Sequence, residues 1–521
     1  MGSAAALLWA SSDPLPATAQ MAEDKRQQAS GSIDAALTFA TAAQTAEAIK
    51  TGKISAREML ELTFRRIDLY NPGLNAIVWQ DREAAAARAR QADEALARGA
   101  APGPLHGVPI TIKEAFAYRG SPSTWGVPAL KNALSPRTAV AIERLESAGA
   151  IVVGKTNVPL MLSDLQSYNA VYGTTNNPWD LKLTPGGSTG GGAAAVAAGL
   201  SYLTAGSDLG GSIRIPAHFC GVYGHKPSLN LVTMEGFQPG PWNGSPNYPE
   251  DIAVAGPLAR SASDLRLCLE VVGGPNGTES RAWSWKMPPP RRNRIRDFRI
   301  GYVLDDPADP VDPDVAAVYE KALGAIGKTG ARMERGWPPG ADSAAHLDTF
   351  YYLVLALVTA DLPQEARAQM KARARDNPNG VAAIEETAAS APHSRWLHES
   401  ARRLGYRALW QKYFDTHDVF VLPTAITAAF PHDHSEPPED RVIATSTGKR
   451  PYLPAMSFWM SFAGLAGLPA TVAPVGFTRA GLPVGIQIIA PMWEDGTSIE
   501  FARLLSEIAG GFVPPPGYGA S

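Results

Sequence analysis

Cysteine is nearly missing from this chain. Only Cys220 and Cys268 occur among 521 residues, which excludes a disulfide scaffold and an all-cysteine zinc site, although one bridge stays open. Charge of one sign is missing as well. The 47 basic and 50 acidic residues leave a net charge of −3, so no global field draws the chain to nucleic acid or to an anionic membrane. Long apolar runs are lacking: Ala4 to Ala10 is apolar for only seven residues, against the ~20 a membrane span needs. Internal repeats and clear linkers are lacking too. With 45% hydrophobic and 19% charged residues, the chain fits neither a disordered segment nor a membrane bundle. What it has in quantity is glycine (49) and proline (44), which favour many turns over long helical arrays.

A chain of this length can hide roughly 75% of its unfolded surface. We read residues 38–513 as one large domain, residues 1–37 as a flexible N-terminal tail and residues 514–521 as a C-terminal tail. Ala17-Thr18-Ala19 resembles a small-residue cleavage site, but no positive n-region precedes the apolar stretch. A cytoplasmic protein is therefore favoured, or an exported one if that segment is a signal remnant.

The order of elements suggests an α/β layer fold with a substantially parallel sheet. Ser55-Ala56-Arg57-Glu58 has the form of a capping box. Leu60, Phe64 and Ile67 follow at helical spacing, and Asn71-Pro72-Gly73 is expected to stop that helix. An Ala-rich helix should run from about Arg82 to Arg98. Short β-branched runs separated by helices come next: Val108 to Ile112, Val140 to Ser147 and Ile151 to Val153. Two Gly-Gly-Ser clusters between Gly186 and Gly224 flank an Ala-rich helix from Ala193 to Leu200. Residues 271–296 read as a surface connection, Arg299 to Val303 as a strand and Pro313 to Gly330 as a helix. Residues 340–410 read as helical, with Phe350 to Val358 assigned to core rather than to an acyl pocket. Val419 to Leu422 is apolar, and Phe430 to Pro451 reads as a polar loop. Two late strands, Ala470 to Val475 and Pro483 to Ala490, precede a final helix from about Ser498 to Ala509.

Two motifs mislead. Gly149 to Thr156 matches the phosphate-loop pattern G-x4-G-K-T, but its Ala-Ile-Val-Val interior favours a strand where that loop needs a flexible turn. Gly186-Gly187-Ser188-Thr189-Gly190 satisfies the nucleophile-elbow pattern, yet Trp179 to Pro185 is not the apolar strand an elbow follows. An α/β-hydrolase esterase would also need a histidine. His432 and His434 could serve only from what reads as a solvated loop, and nothing marks them as metal ligands.

A third constellation is far more specific. Gly186-Gly187-Ser188-Thr189-Gly190-Gly191-Gly192 is followed by Gly206-Ser207-Asp208-Leu209-Gly210-Gly211-Ser212-Ile213-Arg214-Ile215-Pro216. Upstream, Gly107-Val108-Pro109-Ile110-Thr111-Ile112-Lys113-Glu114 delivers a lysine at the end of a strand. This pattern resembles the amidase signature family, and the likeness extends to Gly154 to Asn157, Gly173 to Trp179, Phe219-Cys220-Gly221 and Gly467 to Ala470. It covers about residues 40 to 510.

An amide carbonyl is a weak electrophile, so a hydroxyl must lose its proton as it attacks. Lysine can take that proton only when neutral, and a second hydroxyl can relay it because it both accepts and donates. The resemblance implies Ser212 as acyl-forming nucleophile, Ser188 as relay and Lys113 as base and acid, with a cis Gly187–Ser188 peptide. It implies an oxyanion hole from the amides of Leu209, Gly210, Gly211 and Ser212. Gly187, Thr189, Asp208 and Arg214 support the site, the last two as an ion pair fixing the loop. It also implies a fold with a large mixed sheet flanked by helices on both sides, and no metal or organic cofactor. Cys220 reads as a buried small apolar residue, not a thiol nucleophile. Thr189 stands where many members have serine, and His225 where leucine is frequent. The segment Met234 to Pro249 looks unlike the glutamine-dependent tRNA amidotransferase subunits. The expected activity is therefore stand-alone hydrolysis of a small-molecule amide. Carbamate or ester hydrolysis is the alternative, then an amidotransferase subunit, then an esterase or nucleotide-binding module. A homo-oligomer is compatible with the sequence.

Overall fold

The computed structural model describes residues 36–240, 251–360, 362–378 and 381–519. The Ala4 to Ala10 and Ala17 to Ala19 segments, and the end of Met234 to Pro249, lie outside the described residues. Eleven strands form one mixed sheet. In chain order they are β1 (Ile77–Trp79), β2 (Pro109–Lys113), β3 (Ile151–Thr156), β4 (Leu203–Asp208), β5 (Tyr223–Lys226), β6 (Val254–Ala259), β7 (Arg299–Tyr302), β8 (Arg332–Arg335), β9 (Val419–Pro423), β10 (Ala470–Phe477) and β11 (Pro483–Ile489). Their order across the sheet is β1-β3-β2-β4-β6-β5-β10-β11-β9-β7-β8. Pairing is parallel among β3, β2 and β4 and among β9, β7 and β8. It is antiparallel through the centre. The sheet is thus mixed, with parallel pairs confined to its two wings.

Local chemistry accounts for the elements around the site. Helix α1 (Ala56–Leu74) starts at Ser55, whose hydroxyl accepts from the Glu58 amide while the Glu58 carboxylate accepts from the Ser55 amide, the expected capping box. Pro72 does not stop it: the proline lies inside the last turn, and Asn75 in the left-handed conformation ends the helix. Val140–Ser147 is a helix that carries the chain from β2 to the parallel β3. Helix α2 (Gly190–Ala197) begins three residues earlier than the alanines suggest, and every residue in it is buried. Its small side chains let neighbouring backbones come close. Helix α3 is Arg214–Cys220 and helix α4 is Ser343–Val358. Helix α5 (Tyr452–Ala466) is buried nearly all round, so it lacks the one-sided stripe by which a surface helix is read.

Two further expectations change, and the core assignment of the Phe350 stretch does not. The polar loop from Phe430 contains a hairpin, Val442–Thr445 against Gly448–Pro451. Within the segment read as a C-terminal tail, Tyr518 is docked: its ring lies 4.9 Å from that of Tyr70, and its carbonyl accepts from Arg66 Nη2 at 2.8 Å. Phe350, Tyr352, Leu353 and Leu355 are buried as core, in a second cluster beside the main one, and Leu209 packs against it. Among the described residues no helix is long and apolar enough to cross a membrane.

Candidate active site

Lys113 ends β2, and the parallel β4 beside it ends at Asp208, so adjacent strand ends deliver the lysine and the loop that follows Asp208. Lys113 is fully buried, and its Nζ donates to Ser188 Oγ at 2.6 Å and to Ser207 Oγ at 2.8 Å. Ser188 precedes helix α2 by two residues, and the Gly187–Ser188 peptide is cis. The Thr189 amide donates to the Ser212 carbonyl at 3.1 Å, which ties the two serine segments together. Of the three expected residues Ser212 is the most open, at 6% exposure against 1% for Ser188 and none for Lys113.

Backbone approach explains the glycines at two positions. A Cβ on Gly187 would fall 2.7 Å from the Gln166 amide nitrogen and 2.8 Å from the Asp164 carbonyl. Gly211 has φ +117°, and a Cβ there would meet Met460 Cγ at 2.6 Å. Gly210 differs, because a Cβ on it would meet nothing within 4 Å. The loop therefore opens at Gly210, beside Ser212.

Asp208 and Arg214 are both fully buried, with Arg214 Nη2 2.8 Å from Asp208 Oδ1 and Nε 3.0 Å from Oδ2. Asp208 also accepts from the amides of Gly211, Ile213 and Arg214, at 2.9, 3.1 and 3.3 Å. Burial alone would push the Asp208 carboxyl up. Arg214, Lys226 and the Ile213 amide outweigh it and hold the carboxyl at about 2. Arg214 Nη1 continues to Gln487 Oε1 at 2.7 Å and to the Met460 carbonyl at 2.9 Å. The pair links the loop to β4, helix α5 and β11. One detail departs from expectation. The Gly211 amide is already given to Asp208, so among the described residues the amides of Leu209, Gly210 and Ser212 are the loop's donors without a protein acceptor.

Ser207 is the residue missed in the sequence. It lies inside the quoted motif, but its approach to Lys113 follows from the register of β4 beside β2, in which Ala205 is level with Ile112, and spacing along the chain carries no signal of that. Ser167 was missed too; its hydroxyl donates to the Gly186 carbonyl at 2.9 Å and accepts from the Gly190 amide at 3.1 Å, bracketing Ser188. Thr189 keeps a hydroxyl that donates to the Ser207 carbonyl at 3.2 Å. His225 hydrogen-bonds Asp495 at 3.1 Å and Thr471 at 2.9 Å, with burial lowering its pKa against the pull of Asp495.

The competing motifs take other roles. Ile151 to Thr156 is a buried strand, and Lys155 donates to Ser121 Oγ and the Pro122 carbonyl, with burial bringing its ammonium down to about 8 against the pull of Glu114. Trp179 to Pro185 forms turns and isolated bridges. Cys220 is fully buried, and burial pushes its thiol far up. His432 and His434 are half-buried rather than solvated: His432 bonds Asn176 at 3.1 Å, and His434 stacks on Tyr168 at 3.7 Å. Among the described residues no cluster of three or more His, Cys, Asp or Glu side chains could hold a metal ion.

The comparisons agree with one another. The chain is 33% identical over 479 residues to the indoleacetamide hydrolase of Bradyrhizobium diazoefficiens, spanning 90% of this chain and 86% of the relative. It is 31% identical over 496 residues to a glutamyl-tRNA(Gln) amidotransferase subunit of Synechococcus sp., spanning 90% and 96%. A solved chain from a vestigial complex tied to the origins of an s-triazine catabolic enzyme superposes with TM-score 0.76 at 26% identity, over 90% of this chain and 99% of that one. A bacterial aryl acylamidase of the amidase signature family shares the fold, with TM-score 0.74 at 24% identity over 90% and 96%. The amidase family profile matches residues 58–499, and the chain belongs to the amidase signature family.

Proposed function

We propose that this protein hydrolyses the C–N bond of small-molecule amides through an acyl-enzyme on Ser212. The observation that carries the reading is the buried chain of hydrogen-bonding groups from Ser207 through Lys113 to Ser188, joined by backbone to the more open Ser212. Ser212 Oγ attacks the carbonyl carbon and gives its proton to Ser188, whose own proton passes to neutral Lys113. The developing oxyanion takes the amides of Leu209, Gly210 and Ser212, preorganised donors in a site shielded from water. Lys113 returns the proton through Ser188 to the departing amine. Water then repeats the attack on the ester, releasing the acid and freeing Ser212. Asp208, Arg214, Gly187, Gly211 and Thr189 hold the loops in place. The same nucleophile would open an ester or a carbamate.

The amidotransferase relatives favour a second reading, in which amide hydrolysis supplies ammonia to a partner. A turnover assay on the purified chain separates the two: primary amides, anilides, esters and aryl carbamates are offered with no partner present. The expected result is steady amide hydrolysis, and covalent labelling by an active-site serine probe that Ser212→Ala removes and Cys220→Ala leaves. Turnover seen only after a partner is added favours the second reading. Equal loss of labelling in both variants contradicts Ser212 as nucleophile.

A further inference from the structure

Residues 163–167 run beside the Gly187–Ser188 peptide without belonging to a helix or a strand, so their place depends on side chains from elsewhere. The contact with that peptide is backbone on backbone: a Cβ on Gly187 would meet the Gln166 nitrogen and the Leu165 carbonyl carbon at 2.7 Å and the Asp164 carbonyl oxygen at 2.8 Å. The Ser167 hydroxyl bonds the Gly186 carbonyl and the Gly190 amide, one on each side of Ser188. A shift of this segment therefore moves Ser188.

What holds the segment lies 277 residues further along the chain. The Asp164 carboxylate accepts from Arg441 Nη1 at 2.5 Å and from the Tyr452 hydroxyl at 2.6 Å. Arg441 is 2% exposed, and its other nitrogens are bonded as well. Nε donates to the Ser435 carbonyl at 2.7 Å, and Nη2 to the Tyr168 hydroxyl at 2.7 Å and to Glu436 Oε1 at 3.3 Å. The fully buried Gln166 side chain donates to the Asp433 carbonyl at 2.7 Å and accepts from the Asp433 amide at 3.0 Å. Asp164 thus touches Gly187 with its carbonyl and the clasp with its carboxylate. Tyr452 opens helix α5, and about two turns on the same helix presses Met460 against Gly211. One helix therefore bears on both serine segments.

We infer that Asp164 and Arg441, with Tyr452, are positioning residues for Ser188, and that their buried clasp keeps the relay hydroxyl at its 2.6 Å from Lys113 Nζ. The inference rests on the amide-hydrolase reading above. An exposed ion pair fixes little, but the planar guanidinium of Arg441, buried and bonded at every nitrogen, has one geometry. A relay must accept one proton and donate another, and a misplacement of about 1 Å can cost ~10²-fold in rate. The clasp acts through Ser188, not on the reacting atoms.

The test compares the full-length parent with Asp164→Asn on an amide and on an activated ester of the same acid. Asp164→Asn should cut amide kcat by about tenfold or more with KM little changed. The ester should suffer much less, because only the amine needs a proton returned to it through Ser188. In a Ser188→Ala background the same substitution should cost little further, as for groups that act as one unit. Arg441→Gln should repeat the pattern. Tyr452→Phe, which removes one hydroxyl and leaves the ion pair, should show it more weakly and carries the comparison if the other variants do not fold. Unchanged turnover, equal losses on amide and ester, or a loss that persists in full without the Ser188 hydroxyl overturns the inference. Hydrogen exchange supplies a readout independent of turnover: in the variants the Thr189 and Gly190 amides, bonded to the Ser212 carbonyl and the Ser167 hydroxyl, should exchange faster while β10 and β11 keep their protection. If no amide is hydrolysed, the amide reading fails, and that exchange pattern still upholds the positioning role, whereas unchanged exchange, or exchange raised equally everywhere, removes it.

Discussion

Replacing Asp208 by Asn changes one buried charge and almost no volume, yet it strikes the most connected group under the nucleophile loop. The carboxylate accepts from three backbone amides and from two nitrogens of Arg214. An asparagine offers one acceptor oxygen and turns its NH₂ toward donors on the other side. Arg214, fully buried, is left without a counter-charge. Breaking a buried pair from one side costs about 3–5 kcal/mol, a large part of an ordinary stability of ~5–15 kcal/mol. Proton linkage gives an independent measure. The Asp208 carboxyl is held at about 2, against an unfolded value of about 3.9, which corresponds to roughly 2–3 kcal/mol. Because the folded value is depressed, this contribution is complete above about pH 4 and is lost as pH falls toward 2. Urea unfolding of parent and Asp208→Asn, followed from pH 7 downward, should show a gap of a few kcal/mol that narrows below about pH 4. A gap under about 1 kcal/mol at neutral pH, or one that does not narrow, would refute the reasoning.

Two further outcomes follow from the site. Ser207→Ala removes a hydroxyl to which Lys113 donates and should cut amide kcat/KM by about tenfold or more through lost positioning; unchanged steady-state kinetics would contradict a role for Ser207. The parent should release no binding heat with ATP or GTP, because Lys155 is buried in β3 and bonded to Ser121 and Pro122; micromolar affinity by calorimetry contradicts this.

Much of this site was legible in the sequence alone, and the reason is chemical. Ser188 and Ser212 lie in glycine-rich motifs where the residue types are constrained by backbone approach, as the Cβ contacts at Gly187 and Gly211 make plain, and Lys113 stands at the end of an apolar strand. The helices at Ala56 and Arg82 were legible from caps and spacing. Elements without such marks were not. Helix α5 is apolar on nearly every side, so periodicity has no polar face to find. Strands β4, β5 and β6 are short and wholly buried, so they lack the alternation of a half-exposed strand. The meeting of Ser207 with Lys113 depends on which groups face each other across strands, which spacing along one chain does not encode; the commitment of the Gly211 amide to Asp208, three residues back, depends on how the loop folds. The half-burial of His432 and His434 comes from contacts with Asn176 and Tyr168, far away in sequence.

The central claim is that a lysine, not a histidine, moves the protons. Its most direct test compares Lys113→Ala with the parent on an amide and on an activated ester of the same acid. An amine leaves only if a proton is returned to it, whereas an activated alcohol departs without one. The account predicts that the variant loses about 10²–10⁴-fold in amide turnover and much less on the ester. Near-normal amide hydrolysis by Lys113→Ala, together with activity abolished by replacing His432 or His434, would contradict it.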